Sequence, residues 1–259
     1  MTLNISYLSL RALQIAAVSG LLAGCAAAPG ADAINDPAEP MNRAIHGLNK
    51  GLDRVALKPA ATVYGTVVPK PLRAGLSNVA ATLEIPGDVA NQLLQGKIGD
   101  ATTNTLRFGA NLTLGLGGLF DFATAAGMPE LSTDFGETLA VWGVGEGPYV
   151  ELPILGPSTL RDAVGEVVDI AFDPLGSVLE GNDAHAATTL KVLEKLDQRH
   201  NHSDTVDSIL YDSADSYAQL RLLYLQNRRY ELGQNAGGDA GDAASDAGYF
   251  DPYEDPYAQ

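Results

Sequence analysis

Cysteine is nearly absent, with Cys25 the only one among 259 residues. No disulfide can form within the chain, and thiolate metal sites are excluded. Histidine occurs four times. None forms His-Glu-x-x-His, and His200-Asn201-His202 reads as a solvated turn at a helix junction, not a metal site. Basic residues are scarce, 16 against 32 acidic ones, for a formal charge of −16. Such a surface repels nucleic acid, which excludes that class of partner. Enzyme signatures are missing too. Gly75-Leu76-Ser77-Asn78-Val79 and Gly156-Pro157-Ser158-Thr159-Leu160 each lack the closing glycine of a nucleophile elbow. Gly96-Lys97 is followed by Ile98, so there is no P-loop. Gly143, Gly145 and Gly147 run into Pro148 and read as a tight loop. The expectation is no catalytic residue, no metal and no diffusible cofactor.

What is present begins with a leader. Arg11 is the only charge in residues 1–24, and Ala12 to Leu22 form a short apolar run ending in Leu22-Ala23-Gly24-Cys25. A weakly basic start, about 11 apolar residues and small residues at the cut make a secretory signal, too short to stay as a membrane span. The ending resembles a lipobox, which implies cleavage before Cys25 and a covalent acyl and diacylglycerol lipid on its thiol and new N-terminus. Ala26 stands where an aspartate would favour retention at the inner membrane, so the outer membrane is favoured. Cleavage leaves 235 residues with 15 bases against 32 acids, a charge of −17.

Residues 25–35 read as a lipidated tether, 36–232 as one folded domain, and 233–259 as an acidic tail. That tail holds five glycines, six acids and no base, so disorder is expected there. Between the ends, proline and glycine chop a helical pattern. Helices are predicted over about 41–57 (stopped before Pro59), 60–67, 71–83 and 87–95, bounded by Pro69, Pro71 and Pro86. Another begins near Asp100. Asp134 with Glu137 predicts a capping box for a helix to about 142. Pro157 suits the first turn of a helix to about 171. Long helices are predicted over 184–200 and 204–231, the last with Val206, Ile209, Leu210, Ala214, Tyr217, Leu220 and Tyr224 on one face. Tyr149 to Leu155 could be extended, with no obvious pairing partner. The fold class is all-α.

Phe108 to Met128 holds 21 residues with one charge, Asp121, and five glycines. Three readings stay open: a buried hairpin, a segment lying in one leaflet or lining an apolar passage, and a transmembrane helix. The third is disfavoured, since aspartate at a span centre costs about 2.5–3.5 kcal/mol. Asp121 itself reads as a helix cap or a partner of Arg107.

The run Asp36-Pro37-Ala38-Glu39-Pro40-Met41-Asn42-Arg43 resembles the opening of the MlaA (VacJ) family of phospholipid-transport lipoproteins. So do Pro69 to Asn78, Leu94-Gln95-Gly96, and Arg107-Phe108 followed by Asn111-x-x-Leu114-Gly115-x-Gly117-Gly118-x-x-Asp121. Phe135-Gly136-x-Thr138-Leu139, Gly143 to Pro153 and Gly156-Pro157-Ser158-x-x-Arg161-Asp162 continue the series in the same order. The likeness covers about 36–176, and more loosely 184–232 through Tyr217, Tyr224 and Arg228. It implies a single ring-like helical domain in the periplasmic leaflet of the outer membrane, with an amphipathic channel. It also implies a passive conduit that moves mislocalised phospholipids from the outer leaflet to a soluble periplasmic carrier, beside a trimeric porin. The residues expected to line the passage are Asn111, Leu112, Leu114, Gly115, Leu116, Gly117, Gly118, Leu119, Phe120 and Asp121.

Overall fold

Pro40 sits in the first turn of α1 (Glu39–Leu52), where its missing N–H would have had no partner in any case. The helix does not stop before Pro59, as its ring would suggest. Asp53–Leu57 widens into a π-helical turn, Lys58 N–H reaches back to the Asp53 carbonyl, and α2 (Lys58–Val67) follows without a break. The wider turn makes room for the proline ring inside one bent rod. The outward side chains Met41, Leu48, Leu52, Val55, Val63 and Val67 make an exposed apolar stripe along it. This computed structural model describes residues 34–171 and 182–233, with side chains from 185 in the second stretch. The predicted leader, most of the tether with Cys25, and the tail beyond Gly233 lie outside the described residues.

Prediction also failed at Pro86, which stands inside a single 25-residue helix, α3 (Lys70–Leu94), and not between two. An interior proline costs about 3 kcal/mol. Burial on both sides of it outweighs that cost: Ala80, Thr82 and Ile85 before, Asn91 and Gln92 after. α3 packs on α4 (Ile98–Thr113) and on α8 (Asn182–Asn201). Next come α5 (Phe122–Ala125) and α6 (Phe135–Val141), the latter capped by Asp134, whose side chain accepts the Glu137 N–H at 2.7 Å. Only half of the capping box forms, because Glu137 turns to Lys97 (2.6 Å) and Thr133 (2.6 Å).

The extended stretch does find a partner. β1 (Tyr149–Leu152) pairs antiparallel with β2 (Gly156–Thr159) in the register Tyr149↔Thr159 to Leu152↔Gly156. Pro157 is therefore in a strand, and α7 (Leu160–Ala171) starts three residues later than predicted from it. The partner was missed because Gly156-Pro157-Ser158-Thr159 has poor strand propensity. Its stability comes from α1 instead. Asn42 donates to Tyr149 O (3.1 Å) and accepts from Glu151 N (3.0 Å). Asn49, two turns on, donates to Leu152 O (2.9 Å) and accepts from Ile154 N (2.7 Å). Two side-chain amides thus replace a third strand on the open edge of β1, where unpaired groups would be costly.

The predicted helix 204–231 is broken. α9 (Ser203–Asp207) passes into a π-helical turn, Ser208–Asp212, Ser213 is extended, and α10 (Ser216–Glu231) restarts on Asp215, which accepts from Ala218 N at 3.1 Å. Asp and Ser compete for the backbone here and stop the helix despite its apolar periodicity.

The interior is polar and the exterior is not. Among the described residues, eight apolar side chains are buried, four of them alanine, against nineteen polar or charged ones, while thirty large apolar side chains are exposed. Asn104 and Gln92 both donate to Leu131 O (2.7 and 2.8 Å), and Thr138 donates to Asn91 (3.0 Å). Arg199 forms a two-pronged pair with Asp53 (2.8 and 2.9 Å), and Arg73 pairs with Asp197. Directional bonds, not a hydrocarbon core, hold the helices together. No described helix is long and apolar enough to cross a membrane.

Candidate functional site

A cavity of about 770 Å³ opens between the hairpin, α7, α8 and α10. Each helix gives it one face at 3–4 residue spacing: Asp162, Glu166 and Asp169 from α7; Thr188, Lys191, Val192 and Lys195 from α8; Tyr224, Asn227, Arg228 and Glu231 from α10. The hairpin and Leu57 supply the apolar side, with Ile154 and Leu155 at the tip. Ile154 has φ of 71°, a left-handed value unusual for a branched residue, and the Asn49 amide fixes it there. The cavity is therefore amphipathic, with charged helical walls facing an aliphatic lip.

One knot of charges closes its base. Asp162 accepts from Thr159 (2.8 Å) and Tyr224 (2.7 Å) and pairs with Arg161 (3.1 Å) and Arg228 (3.2 Å). Arg228 also reaches Asp134 at 2.6 Å. Burial opposes charge on Asp162, but Arg228 and the hydrogen bonds outweigh it and hold the carboxyl below the usual range. The knot needs glycine beside it, because a Cβ at Gly136 would lie 2.6 Å from Asp162 and 2.9 Å from Arg228. Gly165 is equally constrained, its missing Cβ falling 2.4 Å from the Gly136 backbone nitrogen. Bare backbone on both sides brings α6 and α7 into contact and sets the position of the acidic wall. Glu166 projects into the opening; burial, then Asp169 and Asp134, raise its pKa, while Lys195 and Lys191 lower it.

None of the residues 111–121 lines this cavity. They form a separate apex where α4 ends. Asn111 is buried, donates to Asp121 (3.1 Å) and accepts from Ala123 N (2.9 Å). Asp121 caps α5 by accepting from Thr124 N at 3.0 Å and faces Arg107 at 3.5 Å, so both expected roles fall to it. Burial works against its ionisation, but Thr124, Asn111 and Arg107 outweigh that and keep the carboxyl low. Leu116, Gly117 and Gly118 turn the chain through three left-handed residues in a row. Gly117 has open space around it, whereas a Cβ on Gly118 would sit 2.8 Å from Thr82 Oγ1. Gly115 approaches the Phe120 and Asn111 carbonyls, and Leu119 packs on Gly75. Leu112, Leu114, Leu116, Phe120 and Phe122 are all exposed, which removes the buried-hairpin reading of this stretch.

A second polar line lies away from the cavity: Ser216 Oγ is 3.0 Å from His46 Nε2, and His46 Nδ1 is 3.3 Å from Glu151. All three residues are buried, and none lines the cavity.

The sequence reading missed Glu166, Lys191, Lys195 and Arg228 as a group. Their spacing was available, with Asp162, Glu166 and Asp169 on one helical face and Lys191 and Lys195 one turn apart. On so acidic a chain, however, carboxylates read as solvated surface.

Comparison with known proteins adds four findings. A family model described as MlaA lipoprotein matches residues 34–231. The Escherichia coli (strain K12) intermembrane phospholipid transport system lipoprotein MlaA is 36% identical over 236 residues, covering 89% of this chain and 91% of that one. The Haemophilus influenzae protein of the same name is 34% identical, covering 76% of this chain and 79% of its own. A solved structure, reported as the structural basis for maintenance of bacterial outer membrane lipid asymmetry, superposes with a TM-score of 0.65 at 33% identity. It covers 76% of this chain and 98% of its own.

Proposed function

The chain belongs to the MlaA lipoprotein family, and from that premise we propose that it is a passive conduit for phospholipids. It takes lipids that have strayed to the outer leaflet of an outer membrane and passes them towards a soluble periplasmic carrier, preserving lipid asymmetry. The observation that carries this reading is the reversed burial around an amphipathic cavity: polar and charged groups buried, thirty large apolar side chains exposed. Such a surface is satisfied by acyl chains or by the apolar face of a membrane partner. Two chains of about 16 carbons cost on the order of 25 kcal/mol to expose to water, so transfer needs a continuous apolar path. The aliphatic lip supplies one beside the polar walls.

Acylation of Cys25 holds the ring at the periplasmic face, and a trimeric porin seats it there. With no nucleotide motif the chain only conducts, and direction comes from its partners. Asn111 to Asp121, a separate apex tipped with exposed leucines, is where acyl chains enter before they reach the cavity and its aliphatic lip. Gly117→Leu adds bulk in open space at a left-handed position, so it should slow lipid movement at unchanged helical content, with a thermal melt checking that the strained turn survives; normal transport would remove the segment from the route.

The deciding experiment measures outer-leaflet phospholipid in cells lacking the protein, rescued with wild type or Cys25→Ser. Accumulation on deletion, cleared by wild type alone, is expected. A surface unchanged by deletion refutes the conduit and brings forward an envelope tether. Lipid hydrolysis is the second reading, favoured by the Ser216–His46–Glu151 line. It predicts fatty-acid release by purified protein that Ser216→Ala abolishes. Burial of all three groups away from the cavity weighs against it.

A further inference from the structure

The charges of the cavity are sorted by wall. Of the three carboxylates on α7, Asp162 is taken up by Arg228 and Arg161, and Asp169 accepts from Asn91 (3.0 Å) and Phe135 N (2.9 Å). Glu166 is the one that faces the opening without such a clamp. Across the cavity, Lys195 is an exposed residue whose hydrogen bond is long, 3.4 Å to Gln198, and which feels Glu194 and Glu166 through space. A carboxylate on one wall and an ammonium on another are thus kept apart by the space between them, beside the aliphatic groups of Ile154, Leu155 and Val192.

We propose that this cavity selects zwitterionic aminophospholipids, their ammonium set against Glu166, their phosphate against Lys195 and their acyl chains along the aliphatic lip. The inference rests on the conduit reading and gives it a headgroup. A single zwitterion satisfies both walls without collapsing the cavity. Phosphatidylglycerol offers a phosphate to Lys195 but no cation to Glu166, whose partly desolvated charge then goes uncompensated. An ammonium on Glu166 is a partly screened charge contact, worth about fivefold in affinity. The raised pKa of Glu166 agrees with a carboxylate on which burial and the neighbouring acids outweigh the distant pull of Lys195 and Lys191.

The test equilibrates full-length lipidated protein in detergent micelles with equimolar phosphatidylethanolamine and phosphatidylglycerol. The protein is repurified, and its bound lipids are counted by mass spectrometry. Wild type should be enriched in phosphatidylethanolamine about fivefold. Glu166→Gln should bring the ratio to about one with total lipid unchanged, while Lys195→Gln should lower the total for both lipids. The Glu166→Lys, Lys195→Glu exchange, which keeps both charges and swaps their walls, should regain the preference. Thermal melts identify any variant that has simply lost its fold. Equal binding of the two lipids by wild type, or a preference untouched by Glu166→Gln, overturns the headgroup assignment and leaves the conduit standing. Protein that carries no phospholipid at all overturns both.

Discussion

Replacing Gly165 with alanine should destabilise the protein, although alanine is the better helix former. The missing Cβ would lie 2.4 Å from the Gly136 nitrogen and 2.7 Å from its Cα, where ordinary contact begins at 3.4 Å. Both are backbone atoms, so no rotamer change relieves the clash, and α6 and α7 must part by about 1 Å. Overpacking of this kind costs about 1–3 kcal/mol, and a rigid neighbour puts it at the upper end. Alanine returns about 1 kcal/mol of helix propensity, leaving a net loss of about 2 kcal/mol. Gly47, exposed in α1 with nothing within 4 Å, supplies the control. There alanine should stabilise by about 1 kcal/mol. For a domain of this size each kcal/mol moves Tm by about 2–4 °C. Scanning calorimetry of the lipidated protein in detergent should therefore show Gly165→Ala melting about 4–8 °C below wild type and Gly47→Ala about 2–4 °C above it. Shifts of the same sign would refute the claim that a glycine-to-glycine contact sets the α6–α7 distance.

Three further outcomes follow from the same structure. Burial, with Glu84, Glu130 and Asp134 adding repulsion, pushes the Asp88 carboxyl up to about 7 against the Thr133 N–H that lowers it. The folded state then binds this proton more tightly than the unfolded chain. Its contribution to stability is full below the unfolded value near 4 and is lost as pH rises through about 7. Asp88→Asn should accordingly raise Tm at pH 8 more than at pH 5; an equal gain at both pH values would remove the titration. Asp53→Ala leaves Arg199 with Asp207 (2.6 Å) as its remaining carboxylate and should cost about 1–3 kcal/mol in chemical unfolding, a prediction that a loss under about 0.5 kcal/mol would sink. Trp142, half-exposed beside Val141 and Val144, should have its fluorescence quenched by phospholipids brominated in the acyl chain and hardly by aqueous iodide. The reverse pattern would place this face in water.

The helical class, the short-helix rhythm and the caps at Asp121 and Asp134 were legible because each depends on neighbours within four residues. Boundaries drawn at Pro59 and Pro86 were not, since a π-turn and two-sided burial are tertiary solutions to a local defect. Strand β2 was hidden because two asparagines on a distant helix complete the sheet edge. The same inversion explains the site. Asn42, Asn91, Gln92 and Asn104 read as surface in an ordinary soluble protein but form the interior here, and the exposed leucines read as core. Apolarity therefore led to Asn111–Asp121, whereas the charged faces of α7, α8 and α10 passed for solvated helix.

A protein built with amides and guanidinium groups at its centre and leucine on its rim cannot be completed by collapse in water. In water the burial that normally drives the last steps of folding would hide the wrong side chains. The paired interior saves little until every donor has found its acceptor, which makes late assembly an all-or-none event. Under the conduit reading, the stage before lipid is reached is therefore the hazardous one, with thirty large apolar groups facing water.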